Sequence, residues 1–310
     1  MEQVVEIILA SGRSAIDMAL YILMPIMVVM LALMKLMDAK GVLAVSARIL
    51  ALFVKVFGVP GLGVFAMLKM LLVSFSAPVA TLSLMHNNAM AKRKIAATFA
   101  MLLPMSQANV VFPMMAVGLD MPIAIATSLL SGFFSAALAY YVLMPASKDN
   151  DPAEEPTYPE PHSKKSVVQI LSDGGQEGMK ITLAMLPMLM LAICLVNGLR
   201  ETGVIEWLSG VLAPLMALLG LPEAAVLPLV TKYIAGGTAF MGITLDLMDQ
   251  GLITAQELNR MAGLVTNPLD IVGVAVLAAA GSRVADVARV AVIAGFAGIA
   301  LRSVIHLLIY

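Results

Sequence analysis

The chain has 310 residues, 61% hydrophobic and 13% charged, with a formal net charge of −1 and a mean hydropathy of +0.96. A soluble domain carries about 25% charged residues, so this composition excludes a water-soluble globule. The near-neutral balance and a pI near 6.3 exclude nucleic acid as an electrostatic partner. Cys194 is the lone cysteine and lies in an apolar run, which excludes an intrachain disulfide.

In chain order, Glu2 and Glu6 stand where a cleavable signal would be basic, and no small-residue cleavage site follows. The first span, about residues 17–37, is therefore expected to stay in the membrane. A short amphipathic helix (42–57) leads through Gly58-Val-Pro60 into a segment (60–90) interrupted at Ser74-Phe-Ser-Ala-Pro78. Two further spans follow, 95–117 with an internal Pro104-Met-Ser-Gln-Ala-Asn109, and 122–144. Ser147 to Lys165 is rich in Pro, Glu, Asp and Lys and reads as a solvated linker.

The pattern then recurs. An offset of 162 places Pro25 on Pro187, Gly41 on Gly203 and Gly58-Val-Pro60 on Gly220-Leu-Pro222. An offset of 163 places Lys69 on Lys232, Thr81 on Thr244, Gly118 on Gly281 and Gly132-Phe133 on Gly295-Phe296. The second copy comprises a span (179–199), an amphipathic helix (204–219), a segment (222–251) broken at Ala235-Gly-Gly-Thr238, and spans 261–281 and 286–308. The spacing predicts three parts: a first membrane repeat over 1–146, a polar linker and interfacial segment over 147–178, and a second, inverted repeat over 179–310.

Topology turns on the broken segments. If each turns back as a re-entrant hairpin, every half has three crossings and the halves are inverted. Lys35, Lys40, Arg48, Lys55, Lys92, Arg93, Lys94, Lys148, Lys164, Lys165, Arg283 and Arg289 then share the cytoplasmic side, with mainly Arg13, Arg200 and Arg260 outside. If each crosses, Lys35 to Lys55 face away from Lys92 to Lys94. The charge asymmetry favours the hairpins. The expected fold is all-α: a polytopic inner-membrane protein of two inverted repeats, each with three transmembrane helices, an amphipathic helix and a re-entrant broken hairpin.

Inverted repeats with interrupted helices are a transporter architecture, with the site where unwound backbone meets at the midplane. The candidate substrate-binding residues are Lys69, Ser74, Ser76, Thr81, Ser106, Gln107, Asn109, Lys232, Gly237, Thr238, Thr244, Asn267 and Asp270. Each has a plainer alternative. Hydroxyls bond back to the preceding helical turn, and glycines permit close packing. Lys69 and Lys232, being repeat-equivalent, either cradle a shared anion or snorkel to an interface. Asp270 carries a coupling proton or Na⁺, contacts the ligand directly, or forms a fixed salt bridge to Lys232 or Lys69. His306 has no His or Cys at ligand spacing, so no metal is expected. No hydrolase, nucleotide-binding or metalloprotease motif is present, which argues against an enzyme and leaves transport passive or ion-driven.

The succession of span, amphipathic helix, Gly-x-Pro, hairpin and span broken at Asn267-Pro268 or Pro104 to Asn109 resembles the nucleoside-recognition, or Gate, family. That family includes the spore maturation A and B membrane proteins and the gate segments of ferrous-iron transporters, and more distantly resembles concentrative nucleoside transporters. The resemblance implies a substrate site between the hairpins and broken spans, built from positions such as Ser76, Gln107, Asn109, Thr238, Asn267 and Asp270. The chain departs from the pattern in lacking both the acidic, glutamine-rich hairpin signature of the concentrative carriers and the cysteine-bearing gate of iron uptake. The reading is a secondary transporter or permease for a small polar solute, anionic in one version, set among membrane lipids, with self-association left open. The alternatives are a non-transporting scaffold, a handler of lipid intermediates, or a channel.

Overall fold

The computed structural model describes residues 2–144, 165–201 and 204–310, and every regular element among them is helical. Most of the expected linker, with Lys148 and Lys164, lies outside the described residues.

Helix α1 (Glu2–Asp17) runs through a π turn (Met18–Leu23) into α2 (Met24–Ala39), so the first helix begins well before residue 17. Pro25 is the second residue after the π turn. A proline ring crowds the carbonyl one turn earlier and brings no N–H of its own, and a wider turn relieves that clash. Val5–Ala39 is long and apolar enough to cross a membrane. Gly41, at φ 75°, reverses the chain into α3 (Val42–Val54), which exposes Val45, Ile49, Leu52 and Phe53.

The path then bends by 111° at Gly58 to enter α4 (Gly61–Leu72), and α5 (Pro78–Asn87) packs back against α4. Gly58 has φ 78°, and any Cβ there would sit 2.1 Å from the Tyr140 ring. Helices of 12 and 10 residues reach only about 18 and 15 Å, half a bilayer. Two more helices, α6 (Lys92–Leu102) and α7 (Ala108–Met115), form the broken span, and α8 (Met121–Ala137), extended by a π turn (Leu138–Leu143), closes the half.

The second half repeats the order. Helix α9 (Val167–Glu201) contains the span expected from residue 179 and starts a dozen residues before it. Next come α10 (Val204–Leu219), a 104° bend, and the mutually packed pair α11 (Val226–Ala235) and α12 (Gly237–Asp249). The broken span is α13 (Ala255–Val265) with α14 (Ile271–Ala278), followed by α15 (Ser282–Asp286) and α16 (Ala288–Ile309).

Three contacts define how these elements meet. First, α9 runs antiparallel to α1–α2: Gly178 lies against Met27 and Val28, Gly174 against Leu31 and Ala32, and Asn197 Nδ2 donates to Ser11 Oγ at 3.0 Å. Second, Tyr141 donates its hydroxyl to the Val56 carbonyl at 2.7 Å, and Arg93 Nε donates to the Tyr140 carbonyl at 2.6 Å. Val56 and Arg93 flank the α4–α5 segment, so both its ends lie at one end of the molecule, as a segment that turns back requires. Third, α16 touches both breaks. A Cβ on Gly295 would meet Leu269 at 2.7 Å and Leu103 at 2.9 Å, and one on Gly298 would meet Ser135 at 2.0 Å and Pro104 at 3.0 Å. Small residues let backbones approach closely where lipid offers no hydrophobic drive.

Candidate functional site

The two breaks bind each other. The Gln107 amide N–H donates to the Thr266 carbonyl at 2.9 Å, so the chain between α6 and α7 lies across the chain between α13 and α14. Proline at 104 and 268 deprives each segment of a helical donor, and the carbonyls and amides so released need other partners at membrane depth. In the second break Asn267 supplies them: its Nδ2 donates to the Leu264 carbonyl at 2.8 Å and its Oδ1 accepts from the Leu269 N–H at 3.0 Å. In the first break Asn109 Oδ1 accepts the Phe75 N–H from the hairpin tip at 3.3 Å.

Where the breaks meet the hairpin tips there is a cavity of about 60 Å³. Its wall is Phe75 from the first hairpin, Ala235 to Thr238 from the second, Gln107 and Asn109 from the first break, and Asp270, Val272 and Gly273 from the second. Gln107, Gly236 and Asp270 are the N-caps of α7, α12 and α14. Three half-helix N-termini therefore converge on the cavity and bring partial positive charge and unpaired N–H groups. The Gln107 side-chain amide, the Asn109 Nδ2 and the Thr238 hydroxyl have no hydrogen-bond partner among the described residues. Volume decides what fits now: a water needs at least about 10–15 Å³, whereas small-molecule sites run to roughly 300–1,000 Å³. At about 60 Å³ the cavity has room for no more than a few waters.

Asp270 is held from two sides. Its Oδ1 accepts the Gly273 N–H at 2.7 Å, capping α14, and its Oδ2 receives the Lys232 ammonium. The lysine is wholly buried, just behind the cavity wall. Gly236 turns the chain at φ 85° beside this carboxylate, a conformation that suits glycine. The salt bridge expected between Asp270 and Lys232 is present.

Five of the thirteen candidates line the cavity: Gln107, Asn109, Gly237, Thr238 and Asp270. Lys69 does not; it lies over the Phe65 ring at 4.6 Å. Ser74 and Ser76 pair with each other at 3.2 Å beside Phe75. Thr244 bonds back to the Phe240 carbonyl at 2.8 Å, and Ser106 donates to the Ala124 carbonyl at 3.2 Å. Thr81 is buried off the cavity.

One residue, Arg302, escaped the sequence reading. Arg302 is fully buried and donates to Ser106 Oγ at 2.7 Å, the Ala124 carbonyl at 3.0 Å and the Pro104 carbonyl at 3.1 Å, holding the first break from behind. His306, one turn on, lies 2.7 Å from the Asn259 carbonyl and 2.9 Å from Thr127 Oγ1, which makes it a packing element. The signal was there: a lone arginine amid the last apolar span requires buried acceptors.

Comparison with known proteins agrees with this geometry. A family model described as Gate, nucleoside recognition, matches residues 182–300. The inner membrane protein YjiG of Escherichia coli (strain K12) is 30% identical over 114 residues, covering 36% of this chain and 74% of YjiG. The chain belongs to the Gate family. A second member-like relative, spore maturation protein B of Bacillus subtilis (strain 168), is 32% identical over 76 residues, 24% of this chain and 42% of that protein. Among solved structures, CNTnw in an inward-facing substrate-bound state superposes with a TM-score of 0.72 at 18% identity, covering 99% of this Gate-family chain and 83% of CNTnw. CNTnw in an outward-facing state gives 0.71 at 17% identity, with 99% and 84% covered. The fold is that of CNTnw, and this Gate-family chain is a multi-pass inner-membrane protein.

Proposed function

We propose that this protein is a secondary carrier that moves a neutral, nucleoside-like solute by alternating access, with the two hairpins working against a scaffold that includes α1–α2, α9 and α16. The observation that carries the reading is the single cavity at which both hairpin tips and both breaks meet, with unpaired amide and hydroxyl groups facing it. The antiparallel contact of α1–α2 with α9, helices that the sequence repeat equates, supports an inverted pair of halves. Such a pair offers the same hairpin to either side of the membrane in turn.

Neutrality follows from charge pairing. The Lys232 charge is matched by Asp270 and Lys69 is not at the cavity wall, so the two-lysine anion cradle lacks support. What faces the solute is one glutamine amide, one asparagine amide, one hydroxyl and helix N-termini. Planar groups carrying both donors and acceptors, as in a nucleobase, and hydroxyls, as in a ribose, satisfy such a set. The family description, nucleoside recognition, points the same way.

The test is a thermal-shift screen of the purified protein against nucleosides, nucleobases, phosphorylated metabolites and carboxylates. A nucleoside or base should raise the midpoint saturably through binding linkage, and the rise should vanish in Asn109→Ala and Gln107→Ala. Stabilisation by anionic metabolites alone would sink the neutral reading. One observation favours a second reading, a non-transporting membrane scaffold: the cavity is small and the Lys232–Asp270 pair is closed. No response to any solute, with no flux in proteoliposomes, would select that reading.

A further inference from the structure

Lys232 and Asp270 stand on different elements, the ammonium in the last turn of α11 and the carboxylate at the N-cap of α14. The lysine side chain is 0% exposed and the aspartate 3%. A carboxylate at that depth needs a cation beside it, because a lone buried charge costs several kcal/mol. The surroundings are rich in oxygen. The last carbonyls of α11 form its negative end, where the Lys232 carbonyl takes the Gly236 N–H at 3.0 Å, and the Asp270 carboxylate lies beside Gly236 at that end. Carboxylate and carbonyl oxygens are the ligands that hard cations select.

The first half supplies the contrast. Where the second half has Asp270 the first has Gln107, and Lys69, the counterpart of Lys232, lies on the Phe65 ring with part of its side chain exposed. Both hairpins carry a lysine at the equivalent place. The ammonium is drawn inside only where a carboxylate awaits it.

We propose that the Lys232 ammonium is a tethered counter-cation, standing at Asp270 in the place of a mobile ion. The second hairpin then closes on the second break with no ion exchanged there. Removing the ammonium converts the position into a site for a small monovalent cation. Resting on the carrier reading, the consequence is that solute passing Asp270 moves without an ion bound to it. The cation site itself is independent of any solute.

The experiment measures the unfolding midpoint of the full-length protein in detergent at pH 8, in choline, sodium, lithium or potassium chloride at equal ionic strength. Wild type, Lys232→Met, Lys232→Arg and the double variant Lys232→Met/Asp270→Asn are compared. Lys232→Met should gain several degrees, saturably, when sodium or lithium replaces choline. The other three should show only a shared, smaller salt effect. If Lys232→Met is not recovered folded, Lys232→Gln takes its place, and extraction in methylammonium should restore a monodisperse protein. Three results overturn the assignment: no cation response in either neutral variant, an equal response in the double variant, or a wild-type response exceeding that of the double variant. None of these readouts uses the solute, so the carrier reading stands or falls separately.

Discussion

Replacing Arg302 by methionine tests how the first break is held. The guanidinium makes three bonds of 2.7–3.1 Å, to Ser106, Ala124 and Pro104, a longer one of 3.4 Å to Thr127 Oγ1, and none to a carboxylate. Hydrogen bonds from a charged donor contribute about 1.5–3 kcal/mol each, but removing an unpaired cation from water costs several kcal/mol, so the two terms largely offset. The net loss follows from which acceptors are stranded. The Ala124 carbonyl keeps the Ser106 and Thr127 hydroxyls, whereas the Pro104 carbonyl has no other donor among the described residues and is orphaned. One buried carbonyl left unpaired costs about 1–3 kcal/mol, which corresponds to a midpoint shift of roughly 2–4 °C per kcal/mol. Arg302→Lys should fare worse than Arg302→Met, because it keeps the buried charge but not the planar fork that reaches three acceptors. The assay is the thermal midpoint in detergent, paired with the solute titration, which should weaken as Gln107 and Asn109 lose their fixed loop. A methionine variant with wild-type midpoint and titration, or a lysine variant more stable than it, would refute the reasoning.

Further predictions concern packing and surface charge. A Cβ on Gly263 would meet Ser303 Cα at 2.8 Å and Ser303 N at 2.9 Å, all backbone; Gly263→Ala should therefore cost about 1–3 kcal/mol by overpacking, read as a lowered midpoint. Gly12, in α1, has nothing within 4 Å of an added Cβ, and Gly12→Ala should raise the midpoint by about 0.5–1 kcal/mol through helix propensity. Lys92 and Asp286 form an exposed pair at 2.7 Å, and the hydrogen bond and charge of Lys92 hold the Asp286 carboxyl below its ordinary value of 3.8. A depressed carboxylate contributes stability above its unfolded pKa and loses it as pH falls through the folded one, so any contribution disappears only below about pH 4. Asp286→Asn should leave the midpoint nearly unchanged at pH 7, because exposed pairs contribute little; a large drop would contradict that.

Much of this protein was legible in its sequence because the bilayer restricts backbone to a few solutions. Apolar runs of span length, Gly-x-Pro turns and prolines inside spans are local signals, and they located the crossings, the bends at Gly58 and Gly220 and both breaks. The repeat added which elements correspond, and Gln107, Asn109, Gly237, Thr238 and Asp270 all proved to line one cavity. Sequence symmetry does not carry over to every side chain. Lys69 and Lys232 occupy equivalent places, yet an ammonium is buried only where a carboxylate compensates it, and only Asp270 does so. The tertiary structure alone decided which breaks touch, through Gln107 and Thr266, and that Arg302 reaches across nearly 200 positions to the Pro104 carbonyl. Local sequence specifies where a helix must open. Which distant group satisfies the opened backbone depends on the path of every helix between them.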